Sequence, residues 1–220
     1  MRQIVLSGTF LCYHNHVTFL AAETSPTKVR FLPLTSQHGK CLANNNNMIT
    51  FLTDNCNPIS QNLYDKSINN LQFHQLVCSC GHCACLSIHA YYVRRVKVED
   101  LWVSIRICRV KCSNCLKTHA LLPSSIVPYS QISLLEQVQI ISSYEHSEGF
   151  SSVMDQHPSI DESNLRYIIR QYCSHWIQRL YSASLVLSSS RNFVSQCFSS
   201  FSRQFMQIKR TTNVLFLGTT

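Results

Sequence analysis

Charge is scarce in this sequence. Asp, Glu, Lys and Arg make up only 14% of it, against a hydrophobic fraction of 45%. A chain with that much apolar material can build a core, which excludes disorder over its whole length. Glycine is scarcer still, at five residues, and none of them forms a phosphate-cradling loop or the G-x-S-x-G elbow of a hydrolase. The ten histidines contain no H-E-x-x-H pair. No run approaches the roughly 18 uninterrupted apolar residues of a membrane span. Near the start, Ile4-Val5-Leu6 meets Tyr13-His14-Asn15-His16, which would spoil the apolar region of a signal peptide.

Cysteine is the exception to this scarcity, with 12 residues. Six are scattered without regular spacing (Cys12, Cys41, Cys56, Cys108, Cys173, Cys197), unlike the even framework of a small disulfide-stapled domain. A reducing interior is therefore expected, with cytoplasmic, nucleoid-associated localisation and no membrane partner. The other six form two knots, Cys78-Ser-Cys80-Gly-His-Cys83-Ala-Cys85 and Cys112-Ser-Asn-Cys115. Two such knuckles joined by a hairpin would make a thiolate cage suited to Zn2+. Cys112 and Cys115 have the usual C-x-x-C spacing. The upstream knot is over-supplied: Cys80 and Cys83 share that spacing, Cys78 and Cys80 precede a glycine, and Cys85 and His82 are further candidates. A redox C-x-x-C is the competing chemistry, but it needs a βαβ setting, and a hairpin is expected here.

The hairpin is read from the interval between the knots. Ile88–Val98 is rich in β-branched and aromatic residues, and Glu99-Asp100 makes a turn. Leu101–Val110 then alternates, with Val103, Ile105 and Ile107 on one face and Ser104, Arg106 and Cys108 on the other. Downstream the period becomes helical. Ser133-Leu-Leu-Glu136 and Ser159-Ile-Asp-Glu162 read as capping boxes. Between them Phe150–Gln156 reads as a short helix. The last of the three helices carries an apolar stripe of Leu165, Ile169, Tyr172 and Trp176. Two helices joined by a short turn, the second with a polar outer face, suggest a helix-turn-helix.

The expected fold is α+β in four parts. Residues 1–72 form a leader of unclear fold, with short strands at Ile4–Leu11, Val17–Leu20 and Val29–Leu34 and an asparagine loop at 44–47. Residues 73–128 form the zinc ribbon and 129–183 the helix-turn-helix-like domain. Residues 184–220 form a basic amphipathic tail, opening on Ser188-Ser189-Ser190. Its stripe of Val194, Phe198, Phe201, Phe205 and Ile208 is either core packing or a face for a protein partner or self-association.

The formal net charge of +8 is uneven. Residues 76–125 carry seven basic and two acidic side chains, and 191–220 carry four basic and none acidic. That distribution suits double-stranded DNA. Arg94, Arg95, Lys97, Arg106, Arg109 and Lys111 are the expected phosphate contacts. Asn164, Arg166, Tyr167 and Arg170 are the expected base-reading face. No carboxylate pair sits where two strands would converge on magnesium, so a non-catalytic protein is expected. A divergent or truncated transposase and a zinc-stabilised adaptor are the alternatives.

Several stretches together resemble a known pattern: Cys78-Ser-Cys80-Gly-His82, Leu86-Ser-Ile-His89-Ala-Tyr91-Tyr92-Val-Arg94, Arg109-Val-Lys-Cys112-Ser-Asn-Cys115-Leu-Lys-Thr-His119-Ala-Leu-Leu-Pro123 and Ile126-Val-Pro-Tyr129. They resemble an uncharacterised bacterial family, a domain of unknown function of the DUF6431 type. That family is similar to the zinc-ribbon front ends of insertion-sequence transposases. The resemblance implies that Cys78 and Cys80 join Cys112 and Cys115 as ligands. It also implies a helix-turn-helix-like stretch after Tyr129 and a link to a mobile element. Ala90 and Leu116 stand where the pattern has glycine, and Cys83 is an extra cysteine.

Overall fold

The alternating run does form a hairpin, and it is longer than its composition suggested. In the computed structural model, which describes residues 48–53, 59–147 and 149–208, β2 (Leu86–Val98) pairs antiparallel with β3 (Leu101–Cys112). Both strands run to the cysteine knots. Glu99 opens the two-residue turn with φ 53°, the left-handed conformation that tight hairpin turns require. Between Ile88 and Ala90 the register slips by one, leaving His89 as the extra residue of a bulge. Ala90 keeps a negative φ there, so the bulge accepts a side chain where the related pattern has glycine.

Two further strands complete a four-stranded sheet of order β1-β4-β3-β2. β4 (Thr118–Pro123) pairs antiparallel with β3 over Arg109–Lys111 only, and β1 (Met48–Phe51) lies parallel to β4. Where β4 stops pairing, the edge of β3 would present bare amides, and α1 (Gln61–Asn69) covers it. The Tyr64 hydroxyl accepts the Cys108 N–H at 2.7 Å and donates to the Leu121 carbonyl at 3.0 Å. Gln61 Oε1 accepts the Arg106 N–H at 2.7 Å. Met48–Phe51 and Gln61–Asn69, expected to belong to the leader, thus supply a strand and a helix to the sheet's core, with Ile49, Phe51, Tyr64 and Ile68 buried. The strands and loop expected before residue 48 lie outside the described residues.

The helical half follows as α2 (Leu134–His146), α3 (Phe150–Gln156), α4 (Glu162–His175), α5 (Ile177–Ser182) and α6 (Arg191–Phe201). The fold is α+β, as expected. The first expected capping box is half right, and the second marks the helix start but neither of its members caps as expected. Ser133 Oγ accepts the Glu136 N–H at 3.2 Å, but the Glu136 carboxylate reaches the Glu99 N–H at the hairpin tip, 3.0 Å away. At α4 the cap is Asp161 rather than Ser159. Asp161 accepts the Asn164 N–H at 2.9 Å, and its hydrogen bonds, led by the Ser163 hydroxyl, hold its carboxyl below the ordinary range. Glu162 is left to pair with Arg166 at 2.6 Å.

Leu165, Ile169, Tyr172 and Trp176 are all buried, as the stripe predicted. Residues 191–208 fold into the same core: Phe193, Val194, Cys197 and Phe205 belong to it, Phe198 is buried too, and Ser190 caps α6 through the Phe193 N–H at 3.3 Å. Of the expected stripe, Val194, Phe198 and Phe205 are buried, while Phe201 and Ile208 are partly buried. The connector 124–130 is fastened on several sides. Ser124 N–H meets Phe51 O at 2.8 Å, Arg94 donates to Val127 O (2.9 Å) and Ser130 O (2.6 Å), and the Gln204 amide donates to Ser124 O. Among the described residues no helix is long and apolar enough to cross a membrane.

Candidate metal centre

The long hairpin brings the two cysteine knots to one end of the sheet. Cys112 is the last residue of β3, directly opposite Leu86, the first residue of β2. Ser113 N–H bonds to Cys85 O at 2.8 Å and fastens one knot to the other. The Sγ atoms of Cys78, Cys80, Cys85 and Cys112 all lie within 4.8 Å of one another, close enough to ligate one ion. Cys80 and Cys112 sulfurs stand 3.8 Å apart, and Cys78 and Cys115 sulfurs 3.5 Å. Two thiolates on a tetrahedral ion with metal–sulfur bonds of about 2.3 Å would be separated by roughly 3.8 Å.

Five thiols therefore stand around a site with four places. Cys78, Cys80 and Cys112 were expected there. Cys85, expected only as an alternate, lies inside the group of four. Cys115, expected as a principal ligand, stands beside Cys78. Cys83 is exposed, its backbone bridging to Val77, and lies outside the group, so the Cys80–Cys83 pairing is not assembled. In the sequence Cys85 is overshadowed by Cys83, which makes the shorter C-x-x-C with Cys80.

Local backbone geometry prepares the sulfurs. Cys112 Sγ accepts the N–H groups of Asn114 (3.3 Å) and Cys115 (3.4 Å). Burial pushes this thiol up, but those two donors prevail and hold it below its usual value. The backbone of His82 acts likewise on Cys80, lowering its thiol to about 6. Burial raises Cys78 and Cys115 and pushes Cys85 up to about 11, and Cys85 donates its S–H to His82 O at 3.2 Å. A bound cation would override these preferences and deprotonate every sulfur it touches. His119, fully buried, sets Nε2 3.3 Å from Cys78 Sγ, the position of a residue that orients a ligand. His89, by contrast, is exposed at the bulge.

Both knuckle turns use left-handed backbone. Gly81 has φ 86° and Leu116 φ 60°, so Leu116 occupies a conformation that favours glycine. Leu116 is 66% exposed and packs little. Leu116→Gly is expected to stabilise the protein by about 0.5–1 kcal/mol, the left-handed strain less glycine's extra chain entropy. A thermal melt should rise by a few degrees. A lower midpoint would show that the leucine contributes packing.

The expected phosphate contacts divide between the two faces of the hairpin. Arg94 is tied to the connector, Lys97 is only 6% exposed beside Trp102, and Arg109 donates to Thr118 at 2.8 Å. Lys111 is half-buried, while Arg95 and Arg106 are exposed together. On α4, Asn164, Arg166, Tyr167 and Arg170 share the exposed side, with Arg166 stacked over Phe150 and Arg170 near Tyr167.

A sheet whose longest hairpin ends in a cluster of thiols, joined to a helical half, defines an α+β protein with a cysteine site able to hold a metal. Residues 78–167 match the model of the family DUF6431, a domain of unknown function. The match runs from the first clustered cysteine to Tyr167 in α4. No curated protein and no solved structure matches the chain.

Proposed function

We propose that this is a zinc-stabilised, non-catalytic DNA-binding protein in which the metal fixes the hairpin and α4 reads duplex DNA. The observation that carries the metal is the group of sulfurs within 4.8 Å of one another; all-sulfur ligation at tetrahedral spacing suits zinc. The DNA reading is supported by the helical half. α4 is anchored by Leu165, Ile168, Ile169 and Tyr172 and leaves Asn164, Arg166, Tyr167 and Arg170 toward solvent. A helix so held is shaped to enter a major groove. The carboxylates have structural tasks that fit a binding role: Glu136 holds the hairpin tip, Glu145 accepts from Tyr172, and Asp161 caps α4. A link to a mobile element is part of the same proposal and rests on the resemblance of the cysteine module.

Site selection from a random duplex pool, followed by fluorescence anisotropy at several salt concentrations, tests the reading. Arg170→Ala is expected to weaken the selected duplex by roughly 5- to 150-fold while barely changing random duplex. An equal loss on both would remove Arg170 from the reading face. Failure to enrich any sequence would remove α4 from recognition altogether.

A further inference from the structure

The β2–β3 hairpin has one covered face and one whose middle is bare, with Lys97 and Cys108 on that second face buried. Val96, Ile105 and Ile107 are buried on the covered side, where Arg94 grips the connector. The bare side carries Tyr91, Val93 and Arg95 from β2 and Trp102, Ser104 and Arg106 from β3. The register sets Val93 against Arg106, Arg95 against Ser104, and Lys97 against Trp102. Tyr91 is 44% exposed, Val93 67% and Trp102 48%. Arg106 lies 4.7 Å from the centre of the Tyr91 ring and Arg95 5.1 Å from that of Trp102. Among the described residues neither guanidinium has an ion-pair partner, and each has a ring beside it instead.

We infer that this face is a stacking platform for single-stranded nucleic acid. Two half-exposed rings on one face, each with a guanidinium beside it, offer a surface that a planar ligand can cover. The guanidinium beside each ring selects what can do so, since a planar ligand stacks on both groups and an anionic one satisfies the charge. The carboxylates nearest in sequence, Glu99 and Asp100, stand in the turn at the tip. Trp102 is opposite Lys97, six residues along β2 from Tyr91, so the backbone positions of the two rings are about 20 Å apart at roughly 3.3 Å per residue, with Arg106 and Arg95 between them. Two stacking stations on one strip, each with its own cation, suit two unpaired bases a few nucleotides apart on one strand, with the phosphates between them running past the arginines. A duplex hides its base faces and could use only the charges. The inference rests on the nucleic-acid reading above but not on α4.

The chain's two tryptophans make the test direct. Trp176 is fully buried, so quenching of tryptophan emission by an added oligonucleotide reports Trp102. Emission and anisotropy would be followed with a mixed-sequence single-stranded 12-mer and with the same sequence as a duplex, both with the full-length protein. The single strand is expected to quench and to bind more tightly than the duplex. Trp102→Ala should weaken the single strand roughly tenfold or more, and Trp102→Phe should restore most of it. Arg95→Gln and Arg106→Gln should each flatten the salt dependence by about 0.7 in slope. Trp102 is half exposed, and circular dichroism of each variant would check that it is folded. Single-strand affinity unchanged in folded Trp102→Ala, or a duplex that binds as tightly and depends on Trp102 equally, overturns the platform. Neither result touches the Arg170 experiment, which uses selected duplex.

Discussion

The Cys112→Ser protein is expected to emerge from purification without zinc and with the sheet half melting well below the wild type. Cys112 ends β3, is fully buried, and accepts two backbone N–H groups of the following turn. Serine there offers an oxygen that does not ionise at neutral pH and suits zinc poorly. Structural zinc contributes an apparent ~10–16 kcal/mol in small finger peptides that are unfolded without it. The sheet here has an apolar core of its own, including Phe51, Leu76, Ile107 and Leu121, so only part of that is at stake. A loss of about 4 kcal/mol would lower the melting midpoint by roughly 8–16 °C. Mass spectrometry of metal content beside a thermal melt reads both consequences. Wild-type protein that is folded, reduced and zinc-free would defeat the metal proposal.

The fourth ligand gives the same experiment a finer edge. Cys85 lies within the group of four sulfurs, and Cys115 stands 3.5 Å from Cys78. With five thiols for four places, Cys85→Ser and Cys115→Ser are each expected to retain about one zinc per chain, and the double variant to lose it. Loss in one single variant alone would identify that cysteine as the sole fourth ligand.

The hairpin was legible because its information is local. Period-2 alternation, a two-residue turn and a knuckle at the end of the second strand all fall within about thirty residues. The same holds for α3 and for the buried stripe of α4. What the sequence hid is non-local. β1 is four residues long and is defined by parallel pairing of Met48–Phe51 with Ala120–Pro123, across more than seventy positions. Nothing in MITF itself distinguishes a core strand from a loop flank. Glu136 misled for a related reason. Its spacing from Ser133 fits a capping box, yet Ser133 N–H is already taken by Lys97 O, so the carboxylate is free to seek Glu99. The choice between Cys85 and Cys115 depends on how the two knots meet, which spacing within either knot does not encode.

Trp176→Ala is expected to be the most damaging single change in the helical half, costing about 3–5 kcal/mol as an aromatic core truncation. The ring is fully buried at the junction of α4 and α5, with Phe201 and Phe205 edge-on at 5.8 and 5.0 Å. Phe205 in turn meets Phe193 at 4.9 Å, so one side chain joins α4 to α6 and the segment behind it. Its indole N–H has no hydrogen-bond partner among the described residues, which makes Trp176→Phe instructive. That change removes volume but also an unsatisfied donor, and is expected to cost less than half as much as alanine. Chemical denaturation with metal content in parallel separates the two cores. Zinc should stay near one per chain in folded Trp176→Ala, since the sulfurs belong to the sheet cluster and the tryptophan to the helical one. Zinc lost together with the helices would mean that the fastened connector, through Arg94, Ser124 and Gln204, makes the two cores one cooperative unit.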